Sequence, residues 1–236
     1  MRSLSGFQEE EEEWAIIRAG LDDLKKRVDL LPRLKDKGFE EEALLLCCCY
    51  IEAIGNVYYR QNRTQYNFCR ILREFGQVDV LHQIHPKQLW IGLKSSRSSN
   101  LQRIGHAIGG TLKRAQRRLY SEAEILGLVG GMLGKEDTIR LKDNLWRGTL
   151  AALAYQHLRN PAVHEMGGAK SFQFEGTTFK GDSVPDLNFS LLYKSLLKVL
   201  NTMRRKSDET RTYFGLNLDT LLRESLAIHK EWDELT

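Results

Sequence analysis

No C-x-x-C pair occurs in this sequence, and three of its four cysteines are consecutive, Cys47, Cys48 and Cys49, with Cys69 standing apart. Adjacent thiols cannot all turn toward one metal ion, so no metal site is expected from them. Set in an apolar run, they predict reduced, buried packing residues, as in a cytoplasmic protein. Charge of one sign is also lacking. A net charge of +4 and a pI near 8.8 suit a polyanionic partner and equally suit none. The first residues lack the basic-then-apolar order of a secretory signal and carry instead the acidic run Glu9 to Glu13. The most apolar stretch, 43–59, is broken by Glu52 and Asn56 and is shorter than the ~20 residues a membrane span needs. No internal repeat is present. What remains is a soluble chain of 236 residues, 42% hydrophobic, able to bury the core of one domain.

The hydrophobic period is helical. Trp14, Ile17, Leu21, Leu24, Val28 and Leu31 recur at spacings of three and four, predicting an amphipathic helix over 9–36 that breaks near Pro32. A second helix, over 39–60, is apolar on nearly every side, as befits the centre of a bundle. A short helix over 64–75 ends at Gly76. The stretches "HPKQLW" and "SSRSSN" read as turns, followed by a helix over 99–120 and a glycine-rich connection, "GLVGGMLGKED". One long helix is expected from 137 to 159, carrying Leu141, Leu145, Trp146, Leu150, Leu153, Ala154 and Leu158. Phe172, Phe174 and Phe179 alternate around Glu175-Gly176, predicting a small β-hairpin at 171–180. A helix from Pro185 to about 206 and a last one over 217–232 complete a mainly α chain. The organisation expected is a single helical domain, with its bundle core at 40–206, an N-terminal helix at 1–38 and a C-terminal extension at 207–236.

Several polar groups have bland explanations. The glycine-rich connection departs from a phosphate loop, because Val129 holds the place of the first glycine and Glu136 that of the hydroxyl residue. His82 and His85 have no third ligand at metal-binding spacing and read as turn residues before Pro86. Lys113, Arg114, Arg117 and Arg118 recur at helical spacing, which usually marks a solvated face and less often an RNA contact.

"HLRNPAVHEMGG", residues 157–168, is harder to set aside. Arginine followed by histidine after four to six residues is expected about 1.5 times by composition alone, and requiring asparagine next to the arginine lowers that to about 0.06. Two pairs meet the looser pattern, Arg159/His164 and Arg223/His229, but Glu224 follows Arg223 and only the first pair passes. Arg223/His229 is assigned to a helix surface. In a continuous helix, residues five apart diverge by about 140°. Pro161 disfavours helical geometry at Asn160 and removes a backbone donor, so a bend there would bring guanidinium, amide and imidazole toward one concavity. Gly167-Gly168 lets the chain leave in an unusual direction. Glu52 and Asn56 lie one turn apart on an apolar helix, and a buried carboxylate calls for a cation. Arg159 is the first candidate. A structural ion pair pinning two helices and a glutamate that orients Arg159 are both consistent with this pattern. Tyr155, one turn before Arg159, either lines the same concavity or packs in the core.

The sequence "LRNPAVH" resembles the R-[polar]-x-x-x-H form of the motif that characterises the HEPN superfamily, and the resemblance covers the motif and the helical layout over about 40–206. It implies an all-α HEPN-like bundle and a metal-independent endoribonuclease of a toxin or antiphage-defence kind, with no cofactor and with Arg159, Asn160 and His164 as catalytic residues. It also implies a homodimer whose two motifs line one cleft, an RNA substrate and a cognate antitoxin, such as a nucleotidyltransferase that modifies the site. Some members of the superfamily bind RNA, nucleotides or proteins without cutting, so a non-catalytic binding module is the alternative. Pro161, the hairpin and the long extensions depart from the family's pattern and leave the subfamily open.

Overall fold

Acid-rich and apolar segments alternate along the chain, and each apolar face needs a partner. The computed structural model describes residues 4–61, 63–117, 119–156 and 187–221. They are mainly helical, and they contain isolated β-bridges but no strand. The expected hairpin at 171–180, most of the last helix and the bend at Pro161 lie outside the described residues. Two compact units divide the chain, Met1–Leu31 with Leu200–Thr236, and Pro32–Val199.

In the first unit, helix α1 (Leu4–Asp29) buries Ile17, Leu21 and Val28, the stripe that its period predicted. Arg204 pairs with Asp22, and Arg211 with Glu11. Helix α2 (Leu31–Asp36) follows after a break, and Pro32 is its second residue, where a missing backbone donor costs nothing.

The second unit takes in α2 from Pro32 onward and the elements after it as far as Val199. Helix α3 (Glu40–Tyr59) opens on Glu40, Glu41 and Glu42, three carboxylates that suit the positive end of a helix dipole. Helix α4 (Thr64–Phe75) packs beside it, burying Phe68, Ile71, Leu72 and Phe75. Gly55 makes the approach close, since a Cβ there would sit 3.0 Å from the Asn67 carbonyl oxygen. Cys47, Cys48 and Cys69 are buried and Cys49 is half-buried, in keeping with packing residues. Burial pushes the Cys47 and Cys69 thiols up to about 12, which leaves them protonated and poor nucleophiles at neutral pH.

Several expected elements differ. "HPKQLW" is not a turn but the start of helix α5 (Pro86–Lys94). His85 caps it by accepting from the Gln88 N–H at 3.3 Å, and Pro86 supplies the first-turn geometry. The helix expected over 99–120 stops earlier: α6 runs Ser99–Lys113. The chain is then captured by Tyr120, whose backbone exchanges two hydrogen bonds with Ile84 and whose hydroxyl accepts from the Arg117 N–H at 2.9 Å. The glycine-rich connection is shorter than expected, because Gly127 to Val129 belong to α7 (Glu122–Val129), held by a capping box of Ser121 and Glu124.

The long helix expected over 137–159 is three pieces: α8 (Lys135–Lys142), a 3₁₀ turn at Leu145–Gly148 and α9 (Leu150–Ala154). Leu141, Leu145, Leu150, Leu153 and Ala154 are buried as expected and Trp146 is half-buried, Leu158 lying outside the described residues, but the backbone breaks twice. Asn144 donates to the Arg140 carbonyl at 2.9 Å and ends α8. Thr149 donates to the Trp146 carbonyl at 2.7 Å and accepts from the Ala152 N–H at 3.2 Å, starting α9 as its cap. Helix α10 (Phe189–Thr210) begins and ends about four residues later than expected. No helix among the described residues is long and apolar enough to cross a membrane.

Candidate functional site

Arg159, Asn160 and His164 lie outside the described residues, as do Gly167-Gly168 and the pair Arg223/His229. The chain leading to the motif is described as far as Gln156. All five residues of α9 are buried, and Tyr155 is buried with its ring edge-on to Phe68 at 5.3 Å between centroids. Tyr155 and Gln156 take the wider π-helical geometry, a local adjustment often found beside functional sites. Gln156 accepts from the Gln88 amide at 2.7 Å.

Glu52 is buried on α3, and Arg159, its expected partner, is not described. Asn56, one turn on, is met by an amide rather than a cation. Asn67 donates to its side-chain oxygen at 2.9 Å and to the Gln61 carbonyl at 2.8 Å. That pair ties α4 to the end of α3.

Two cations of the basic run at the end of α6 are engaged. The Lys113 ammonium sits 4.1 Å from the Trp90 ring centroid. The Arg117 guanidinium covers the Tyr120 ring at 4.5 Å and pairs with Glu124. Arg114 ends the helix, and Arg118 lies outside the described residues. His82 belongs to a 3₁₀ turn, Asp79–His82, and burial lowers its pKa, keeping its ring neutral at pH 7.

A cleft of about 1250 Å³ in the second unit was not anticipated from the sequence. Its walls carry Arg63, Arg73, Arg97, Lys142 and Arg147 against Glu122 and Asp143, with Tyr66 and Trp146 among them. Arg73 is paired with Glu122 at 3.6 Å. Among the described residues no carboxylate is paired with the other four cations. Arg147 is the most constrained of them. Its guanidinium stacks 4.7 Å from the Trp146 ring centroid, its Nε donates to the Asn144 side chain at 3.0 Å, and Tyr66 meets the same indole edge-on at 5.4 Å. Burial, and then the like charge of Arg63, lower the Arg147 pKa. A guanidinium nonetheless stays protonated, so a half-buried charge is held with no carboxylate paired to it among the described residues.

Glycines seat this arginine. A Cβ at Gly148 would come within 2.6 Å of the Leu89 Cβ and 2.8 Å of the Ile84 Cγ2, and one at Gly92 within 3.1 Å of the Arg147 Cβ. The 3₁₀ turn therefore lies directly on α5. Two helix starts face the cleft as well. Arg63 and Ser98, the N-cap residues of α4 and α6, make no side-chain cap bond, and neither helix has an acidic residue in its first turn. Exposed backbone donors and the positive end of a helix dipole favour anions. A cation at an N-cap opposes that dipole, and an arginine at or just before each of two helix starts is the signal in the sequence that could have pointed here.

The sequence matches no protein-family model, and no curated protein or solved structure is similar to it at a significant level.

Proposed function

We propose that this chain is a metal-independent endoribonuclease of the HEPN type, built on an HEPN-like helical bundle and acting on RNA as a toxin or antiphage-defence effector. The observation that carries the reading is the Arg159-Asn160 pair with His164 beyond Pro161 in the sequence. Support comes from the mainly helical architecture and from a cleft rich in unneutralised cations.

In this mechanism His164 takes the proton of the RNA 2′-hydroxyl, and the 2′-oxygen attacks phosphorus. Arg159 holds the added negative charge of the phosphorane through its planar fork of donors, and Asn160 binds a non-bridging oxygen. The bond to the 5′-oxygen breaks as a second histidine returns a proton to it, leaving a 2′,3′-cyclic phosphate and a 5′-hydroxyl. One motif supplies one histidine, so the reading includes a homodimer in which His164 of the second copy protonates the leaving group, and a cognate antitoxin that silences the site.

The test is incubation of purified protein with total RNA in EDTA, beside Arg159→Ala and His164→Ala. Each variant is expected to cut at least about a hundredfold more slowly. Cutting that survives in both removes the assigned residues. A second reading, a non-catalytic RNA-binding module, is favoured by one observation: the described residues by themselves supply a basic cleft with aromatic rings among its cations. RNA binding with no cutting by the wild-type protein would select it.

A further inference from the structure

The cleft has features that folding alone does not account for. Arg63, Arg97, Lys142 and Arg147 converge on it from four separate segments, with Glu122 and Asp143 also on its walls. Glu122 pairs with Arg73, and like charges left in excess repel unless something negative joins them. Arg147 is the sharpest case, because it is half-buried and fixed on Trp146 and Asn144 by directional contacts. An arginine held only for packing would leave its charged end in water. Here the guanidinium is kept in place, beside Arg63 and the uncapped start of α4.

Size and chemistry narrow what fits. Sites for small molecules occupy roughly 300–1,000 Å³, and this cleft, at about 1250 Å³, exceeds them. Its cations are distributed along the walls, and the aromatic rings of Tyr66 and Trp146 lie among them. Grooves that follow a single-stranded nucleic acid combine those two elements, cations for successive phosphates and rings for unstacked bases.

We infer that this cleft is a binding groove for single-stranded RNA, in which Arg147 and Arg63 grip the phosphodiester backbone and Asn144 and Trp146 hold Arg147 in position. The choice of RNA among polyanions rests on the function proposed above, whereas the groove itself rests on the described residues alone. It operates whether or not the chain cuts what it binds. The start of α6, with Arg97 just before it, supplies a second anchoring point for the backbone.

The test uses the full chain and a fluorescent 2′-O-methyl RNA of about 15 nucleotides, which cannot undergo 2′-hydroxyl attack, so binding is measured apart from cleavage. Anisotropy is read over a series of salt concentrations for wild type, Arg63→Gln, Arg97→Gln, Arg147→Gln and Arg147→Lys, with thermal melting to show that each is folded. Arg63→Gln and Arg147→Gln are expected to weaken binding about tenfold each. Each is also expected to flatten the logarithmic salt dependence by about 0.7. Arg147→Lys keeps the charge but loses the stacked fork, and should fall between wild type and Arg147→Gln. Arg205→Gln, on the exposed face of α10, serves as the control and should bind as wild type does. Folded glutamine variants that all bind with wild-type affinity would overturn the groove, as would a wild-type protein that binds no RNA. Inorganic pyrophosphate or a mononucleotide that binds as tightly as the strand would overturn it too, in favour of a free-nucleotide pocket. If the cleft variants lose binding while unmodified RNA is never cut, the groove stands and the nuclease reading fails. If cutting requires His164 but cleft variants bind normally, the nuclease stands and the groove fails.

Discussion

Lys113, Arg114, Arg117 and Arg118 sit together in one short run, whereas Arg63, Arg97, Lys142 and Arg147 are scattered over four segments and meet only in the folded chain. In the first group Lys113 is laid over Trp90, and Arg117 is shared between Tyr120 and Glu124. In the second group the cations share the cleft with Glu122 and Asp143, yet among the described residues none of the four is paired with a carboxylate. A dense run of basic residues is thus a poor guide to a basic surface, since rings and an acid from adjoining elements engage two of its members. Cations that cost something to bring together are the better guide to a polyanion site.

The difference can be tested in order of expected size. Arg63→Glu with Arg147→Glu places two repelling charges in the groove and should lower RNA affinity about a hundredfold, read by anisotropy, while Lys113→Glu with Arg117→Glu changes it far less. Equal losses from the two pairs would erase the distinction. Gly148→Ala forces a methyl group into Leu89 and Ile84, and thermal or urea unfolding should show a destabilisation of about 2 kcal/mol. Loss of RNA affinity is expected with it, because Arg147 is the preceding residue. Asn144→Ala frees the Arg147 Nε and should weaken binding about threefold, with a more pronounced effect at low salt. Unchanged binding there would mean that stacking on Trp146 alone orients the guanidinium. The smallest effect is a pH dependence in the first group. The Arg117 side chain, followed by bonds from Ser121, holds the Glu124 carboxyl down at about 2. A depressed carboxyl contributes stability that is present above its unfolded value of 4.5 and lost as the pH falls through about 2. Melting temperatures measured across that window should decline less steeply in Glu124→Gln. Both side chains are exposed, so the change in slope should be slight.

Much of the architecture was legible because periodicity and burial agree. Ile17, Leu21, Val28 and Leu31 are buried where their spacing placed them, α3 and α4 lie within a residue of their expected bounds, and Gly76 ends α4. Where the reading failed, the apolar pattern was right and the backbone was not. Leu141, Leu145, Leu150 and Leu153 are all buried, which a single long helix would also achieve. Only the close contact at Gly148 and the Thr149 cap reveal two breaks. Helix α5 was missed although Pro86 after a polar N-cap is a recognised helix start. The cleft was not legible as a cluster at all, because its cations belong to different elements. The two arginines beside uncapped helix starts carried its signature. The paired Asn56 and Asn67 show the converse, since a polar residue on an apolar helix needed only an amide to satisfy it.

The seating of the Leu145–Gly148 turn on α5 bears on how the molecule behaves when heated. Loops usually fray before a core melts. Here Leu89, under the turn, belongs to the same buried cluster as Ile84, Leu93 and Leu145. Warming should therefore leave ligand affinity intact almost to the unfolding midpoint and then abolish it abruptly, with capture and collapse of the native state sharing one cooperative transition.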